Sequence, residues 1–363
     1  MKTLVLVGGG HAHLHCLEQL KKDSQKDWRI LLISPSPYQY YSGMFSGYTE
    51  GVYNLDEIRI DLKKLCQSIG VEFNEDAITA IDANAQEMMG SNGAVYTYDV
   101  VSFDIGSQTA IPKAIENYAL SIKPNYRFPE QLVKMRESSH PIVVGGGASG
   151  VELAFSILSW RKQHQLSANI ALFSSTALLM SQGTAASKKI ESIAAQKRLP
   201  FYSGTGIESV DENSVTTSAG DNHPQSAVLW LTGPKSFDLF QSSGLTTDED
   251  GYLLVNEMLQ NNQHPEIFGA GDCVTIDQYP ALAKNGVYAV RQGPILWENI
   301  KKSLTKGQLV RFTPQKRYIS ILSTGDGEAF LSYGSQLFHG KIPWKIKQYI
   351  DRKFMKKYKD LYE

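Results

Sequence analysis

Two glycine-rich turns carry the residues of this chain best suited to chemistry. Gly8-Gly9-Gly10 follows a short apolar run at residues 3–7 and opens a helical stretch over residues 10–22; Gly145, Gly147 and Gly150 follow Pro141-Ile142-Val143-Val144 in the same way. A strand that feeds a helix through Gly-x-Gly turns tightly enough to approach a pyrophosphate. The helix N-terminus then offers free N–H groups and the positive end of a dipole. The spacing predicts dinucleotide phosphates at Gly8, Gly10, His11 and Ala12, and again at Gly145, Gly147 and Gly150. The second copy has all three fingerprint glycines, whereas His13 stands at the third position of the first. His11 and His15 share a helix face, which raises a metal reading. No second ligand cluster accompanies them, so no metal is expected. The strand ends offer serine (Ser34, then Ser174 or Ser175) where a ribose-binding carboxylate is usual. No arginine suited to a 2′-phosphate follows before Lys188, and the choice between NADH and NADPH stays open.

Parallel βαβ units must hold these turns. Residues 3–33 read as strand, turn, helix and strand, and the pattern returns over residues 141–173. A helix is expected at 58–69, with short strands over 71–101 before Ile105-Gly106-Ser107. After the second unit come a helix near 185–197, strands to about 231 and the turn Gly269-Ala270-Gly271-Asp272. A long helix at 281–303, strands at 318–322 and 329–333 and a basic terminal helix complete the reading. The fold class is α/β, with two Rossmann-like domains, each a central parallel sheet plus a small β-meander, and a C-terminal β/helix extension.

Composition bounds the function. The 363 residues are 42% hydrophobic and 20% charged, with a formal net charge of -1. That is ordinary for a globular protein and excludes a disordered or collagen-like chain. Near-neutrality also argues against a general nucleic-acid binder. Residues 341–363 carry eight basic and three acidic side chains, so a +5 tail follows a -6 body. Ile346, Tyr349, Ile350, Phe354, Tyr358 and Leu361 recur near helical spacing there, and Trp344 and Phe354 suit an interface. Such a basic amphipathic helix fits an anionic membrane surface; packing on its own domain or in a homodimer is the alternative. The N-terminal apolar run is too short for a signal peptide, and no stretch reaches membrane-spanning length. A cytoplasmic protein, at most peripheral to the membrane, is expected. Cys16, Cys66 and Cys273 are too scattered for a disulfide framework or a zinc cluster.

Taken in order, the first glycine turn, Ile105-Gly106-Ser107, the second glycine turn and Gly269-Ala270-Gly271-Asp272 resemble the pyridine nucleotide-disulfide reductase superfamily of flavoproteins. The resemblance spans about residues 1–335. Val7-Gly8-Gly9-Gly10-His11-Ala12-His13, Tyr41-Ser42-Gly43-Met44 and the segment 284–294 look most like the type II NADH dehydrogenase branch. Closer still is the flavoprotein module sometimes fused to selenide, water dikinase. The resemblance implies an FAD domain at 1–112 and 235–310, an inserted NAD(P)H domain at 113–234 and an extension at 311–363. It implies that Gly106, Gly271 and Asp272 hold FAD together with the first turn and Ser34. Glu152 would stand near the nicotinamide and flavin, and Lys284 would be a catalytic cation stabilising reduced flavin. Tyr41, Met44 and Arg291 would line the flavin or acceptor pocket. Disulfide reductases of this fold carry Cys-x4-Cys soon after the second strand, and residues 38–51 hold no cysteine. Electrons are then expected to pass from NADH or NADPH through FAD directly to an acceptor. A quinone is the leading candidate, although Ala283-Lys284-Asn285 replaces the family's Ala-Gln quinone signature. The alternatives are a flavoprotein reducing a selenium or sulfur species and a flavin-binding sensor with a degenerate nicotinamide site.

Overall fold

Leu4, Leu6, Val101, Phe103 and Phe268 are wholly buried, which is the condition of parallel strands covered on both faces. A computed structural model, describing residues 1–23 and 27–363, shows how they come together. Five parallel strands lie in the spatial order Ile267–Gly269, Val100–Phe103, Lys2–Val7, Trp28–Ser34 and Glu72–Glu75. A second parallel sheet follows the order Ala119–Leu120, Ala227–Trp230, Pro141–Val144, Ala171–Ser174 and Phe201–Ser203. Antiparallel meanders at Ile78–Asp82, Glu87–Gly90 and Val95–Thr97, and at Ile207–Val210, Ser214–Thr217 and Asn222–Pro224, accompany them. The α/β class with two Rossmann-like sheets is therefore as the sequence predicts.

Local chemistry moves several element boundaries. The helix expected at 58–69 begins at Leu62, because Asp61 accepts from the Lys64 N–H (2.9 Å) and caps it. Arg59–Asp61 instead pairs with Tyr38–Tyr40. The helix expected from 281 runs Gly286–Thr305, since the Asn285 side chain accepts from Val287 N (3.0 Å) and Tyr288 N (3.3 Å). A third terminal strand, Gln336–Gly340, joins Ser320–Gly325 and Glu328–Tyr333.

The helix Lys341–Lys359 packs against this terminal sheet. Trp344, Lys347, Asp351, Met355 and Tyr358 form its buried face at three- and four-residue spacing. Lys357 pairs with Glu18 at 2.6 Å, and Lys21 donates to the Leu361 carbonyl, tying the tail to the first helix. The single apolar stripe expected from the sequence is thus divided. Tyr358 is buried, Phe354 is half-buried, and a second row (Ile342, Ile346, Tyr349, Ile350) is exposed. Trp344, expected at an interface, packs inside its own chain. Among the described residues no helix is long and apolar enough to cross a membrane.

Candidate functional site

The first glycine turn is held from below. His13 is wholly buried; its Nδ1 donates to the Gly8 carbonyl (2.6 Å), and its Nε2 accepts from the Ser102 hydroxyl (2.8 Å). Burial pushes its pKa down to about 4, so the ring is neutral. His13 therefore braces the turn against the strand Val100–Phe103, where a glycine would have allowed closer packing. His11 also stays neutral, pushed down to about 4 by burial. Its ring lies 5.7 Å from Tyr41 and 5.4 Å from Phe354, and those two stack at 4.2 Å. His15 turns to Glu18 instead (3.4 Å), so the three histidines take separate partners.

Asp104 caps the first helix from the neighbouring strand end. Its Oδ2 accepts from the N–H groups of Ala12 (2.8 Å) and His13 (3.1 Å). Ser34 is buried at its strand end and donates to the Ser36 carbonyl at 3.0 Å.

The Gly269-Ala270-Gly271-Asp272 turn faces the same region. Asp272 pairs with Lys123 at 2.9 Å, and Lys123 also donates to Ser107 Oγ at 2.5 Å, one residue beyond Gly106. Gly271 N–H donates to Gln292 Oε1 at 2.6 Å. Gly271, Asp272, Lys284, Asn285, Tyr288 and Gln292 line a narrow recess beside this turn. Lys284 lines it together with Val274 and Thr275; its ammonium donates to the Val274 carbonyl and to Thr275 Oγ1 (2.8 Å) and sits 4.1 Å over the Tyr252 ring. Burial lowers its pKa. Arg291, expected in the acceptor pocket, is exposed, and the adjacent Gln292 takes the inward position.

The second turn differs in being open. Gly147, Ala148 and Ser149 are exposed, and the helix Ala148–Gln163 has no side-chain cap. Gly150 cannot be replaced, because a Cβ there would stand 1.9 Å from the Gly145 carbonyl oxygen. Ser174 is buried beneath Gly146 and Ser175 is exposed, so of the two serines Ser175 faces solvent.

Glu152 joins the two units. Its Oε1 accepts from Ser46 Oγ (2.8 Å) and Ser323 N–H (2.8 Å) and lies 3.5 Å from Lys347 Nζ. Lys347 also meets Asp351 at 3.2 Å and donates to the Gly43 carbonyl, between Tyr41 and the buried Met44. Burial works against the Lys347 charge, yet Glu152 and Asp351 hold it protonated. Asp351 is pushed up to about 6 by burial, against the pull of Lys347. Burial and the Asp351 charge raise the Tyr41 phenol as well. Lys347 thus links Glu152 to the Tyr41–Met44 segment, whereas Arg291 is exposed and the Lys284 ammonium is held by Val274 and Thr275. Sequence reasoning missed Asp104, Lys123, Gln292, Lys347 and Asp351. Only Asp104 had a local signal, a carboxylate closing the apolar strand Val100–Phe103 just before Ile105-Gly106-Ser107.

All three cysteines are buried and free; burial raises the thiol of each, to about 12 for Cys66 and Cys273. None approaches the thiolate state that redox exchange requires.

The family model described as pyridine nucleotide-disulphide oxidoreductase matches residues 2–293. Apoptosis-inducing factor 3 of Mus musculus is 22% identical over 314 residues, covering 83% of this chain and 47% of its own length. The chain thus spans about half of that relative. The type II NADH:quinone oxidoreductase of Staphylococcus saprophyticus is 23% identical, with 96% of this chain and 94% of that protein covered. The structure of NDH2 from Plasmodium falciparum in complex with NADH superposes with a TM-score of 0.82 at 13% identity, covering 99% of this chain and 96% of the other. That last likeness is one of fold.

Proposed function

Because this chain belongs to the pyridine nucleotide-disulphide oxidoreductase family, we propose that it is an FAD-dependent NADH dehydrogenase passing electrons directly to a quinone. The observation that carries this reading is Glu152. Two residues past the second glycine turn, it reaches Ser46 and Lys347 beside Tyr41 and Met44, so the helix of one dinucleotide unit meets the pocket wall of the other.

The residues present fit both dinucleotides. A Cβ built at Gly106 or Gly147 would meet nothing within 4 Å, leaving backbone cradles that a ligand can fill. FAD would be held by Gly8, Gly10, His11, Ala12 and Ser34, with Gly106, Gly271 and Asp272 opposite. NADH would be held by Gly145, Gly147 and Gly150 at the uncapped, exposed helix N-terminus. Bound FAD supplies the two-electron relay between nicotinamide and acceptor.

The chain's own residues do the rest. Lys123, paired with Asp272, places a cation beside the Gly271 turn. His11, Tyr41 and Phe354 form an aromatic wall at the start of the first helix. Quinone reduction takes up protons, and Asp351 is poised to hold one at its carboxyl next to Lys347 and Glu152. The buried, protonated thiols support a path without a dithiol. Ile342 (74% exposed), Tyr349 (66%), Ile346 and Ile350, flanked by lysines, support docking on an anionic membrane where a quinone resides. The kinship with a type II NADH:quinone oxidoreductase supports the same acceptor.

Anaerobic titration with NADH, and separately NADPH, should bleach the flavin absorbance, and a quinone should restore it faster than selenite or a polysulfide does. No bleaching by either donor would overturn the dehydrogenase reading. Bleaching without quinone reoxidation would overturn only the acceptor.

A further inference from the structure

The internal duplication supplies its own control for the first turn. In the first unit a Cβ at Gly8 would lie 2.4 Å from the Asp104 carbonyl oxygen; in the second, a Cβ at Gly145 would lie 2.4 Å from the Leu231 carbonyl oxygen. Asp104 and Leu231 therefore occupy the same place, one residue past the strand that flanks each glycine turn. Their side chains have opposite consequences. Beside Leu231 the helix N-terminus is uncapped and exposed. Beside Asp104 the corresponding N–H groups, those of Ala12 and His13, are already bonded to a carboxylate.

That carboxyl is wedged between two phosphate-facing turns. A Cβ at Gly10 would stand 2.2 Å from its oxygen and carbon, and one at Gly271 would stand 2.6 Å from Oδ1. It is only 4% exposed. Among the described residues, the groups facing it offer no cation. On the helix side His11 and His13 are neutral and the Cys16 thiol is raised by burial and by Asp104 itself. On the turn side stand Asp272, whose partner is Lys123, and the protonated Cys273. Gln292 approaches as a neutral amide. A dinucleotide pyrophosphate brings further negative charge to the same helix end, where two unpaired anions repel strongly at low dielectric.

We propose that Asp104 makes flavin loading proton-coupled, so that the first turn receives the FAD phosphates with the Asp104 carboxyl neutral. The inference rests on the FAD reading above. The balance is simple: protein with Asp104 ionised, plus FAD and one proton, gives the complex with Asp104 as the acid. No bond other than O–H forms, and nothing is oxidised. Burial already pushes the Asp104 pKa up to about 7, with Asp272 adding to the rise and the two helix N–H groups opposing it. Above that pH loading must carry a proton in.

The test is FAD binding to flavin-free protein, followed by quenching of FAD fluorescence from about pH 5.5 to 8.5. Calorimetry in two buffers of different ionisation enthalpy counts the protons. The wild type should take up about one proton per FAD above pH 7, with its dissociation constant rising about tenfold per pH unit there. Asp104→Asn, and Asp104→Leu in imitation of Leu231, should bind FAD with no such slope and more tightly at alkaline pH. The wild-type proton count does not depend on either variant folding. FAD binding without proton uptake, or with the same slope in Asp104→Asn, overturns the proposal alone. No FAD binding by the wild type at any pH overturns the cofactor reading and the proposal with it.

Discussion

His13 does at the first turn what sequence pattern assigns to a glycine, by a different route. A glycine lets helix and strand approach; His13 fills the gap and spans it with two buried hydrogen bonds. Replacing it with alanine removes both bonds and leaves a cavity, which should cost about 2–4 kcal/mol in urea denaturation. Asp104 makes a prediction of its own. Its folded pKa lies above the unfolded value, so its ionisation opposes folding and its contribution declines as pH rises from about 4 to 7. Asp104→Asn should therefore gain stability over the wild type across that window, by about 1.4 kcal/mol per pH unit. A constant difference would refute this. The two glycine turns were legible because glycine spacing is local in sequence. The partners of His13 and Asp272 were not, because Ser102 and Lys123 reach them only through the parallel crossovers.

At the scale of elements, the terminal helix shows what periodicity alone leaves ambiguous. Its existence and basic charge were readable, but both of its sides carry apolar residues, so its orientation was not. Removing residues after 340 would expose the surface that Trp344, Met355 and Tyr358 cover, and should lower the melting temperature. A cleaner test of membrane contact leaves the packing intact. Ile342→Asp with Tyr349→Asp should keep the melting temperature and abolish co-sedimentation with anionic vesicles; retained co-sedimentation would remove this face from the reading. The caps tell a similar story. Asp61 and Asn285 reset two helix starts by single side-chain bonds, which apolar spacing does not register.

Across the whole molecule, both sheets and the terminal extension meet at Glu152. Ser46 comes from the first unit, Ser323 from the terminal sheet and Lys347 from the last helix. Lys347→Met should leave Glu152 and Asp351 without their cation and raise the Asp351 carboxyl pKa further, shifting the acid limb of a pH–rate profile upward. An unchanged profile would show that the cluster holds no proton of consequence to turnover. The architecture of two sheets was legible because each glycine turn announces its strand and helix. The seam was not, because its members come from segments distant in sequence. The strand order has a consequence for biosynthesis. Val100–Phe103 lacks its outer neighbour until Ile267–Gly269 is made, and Tyr41 lacks its stacking partner Phe354 until the helix Lys341–Lys359 follows. A nascent chain on the ribosome thus holds its first glycine turn half-built while the whole second unit folds.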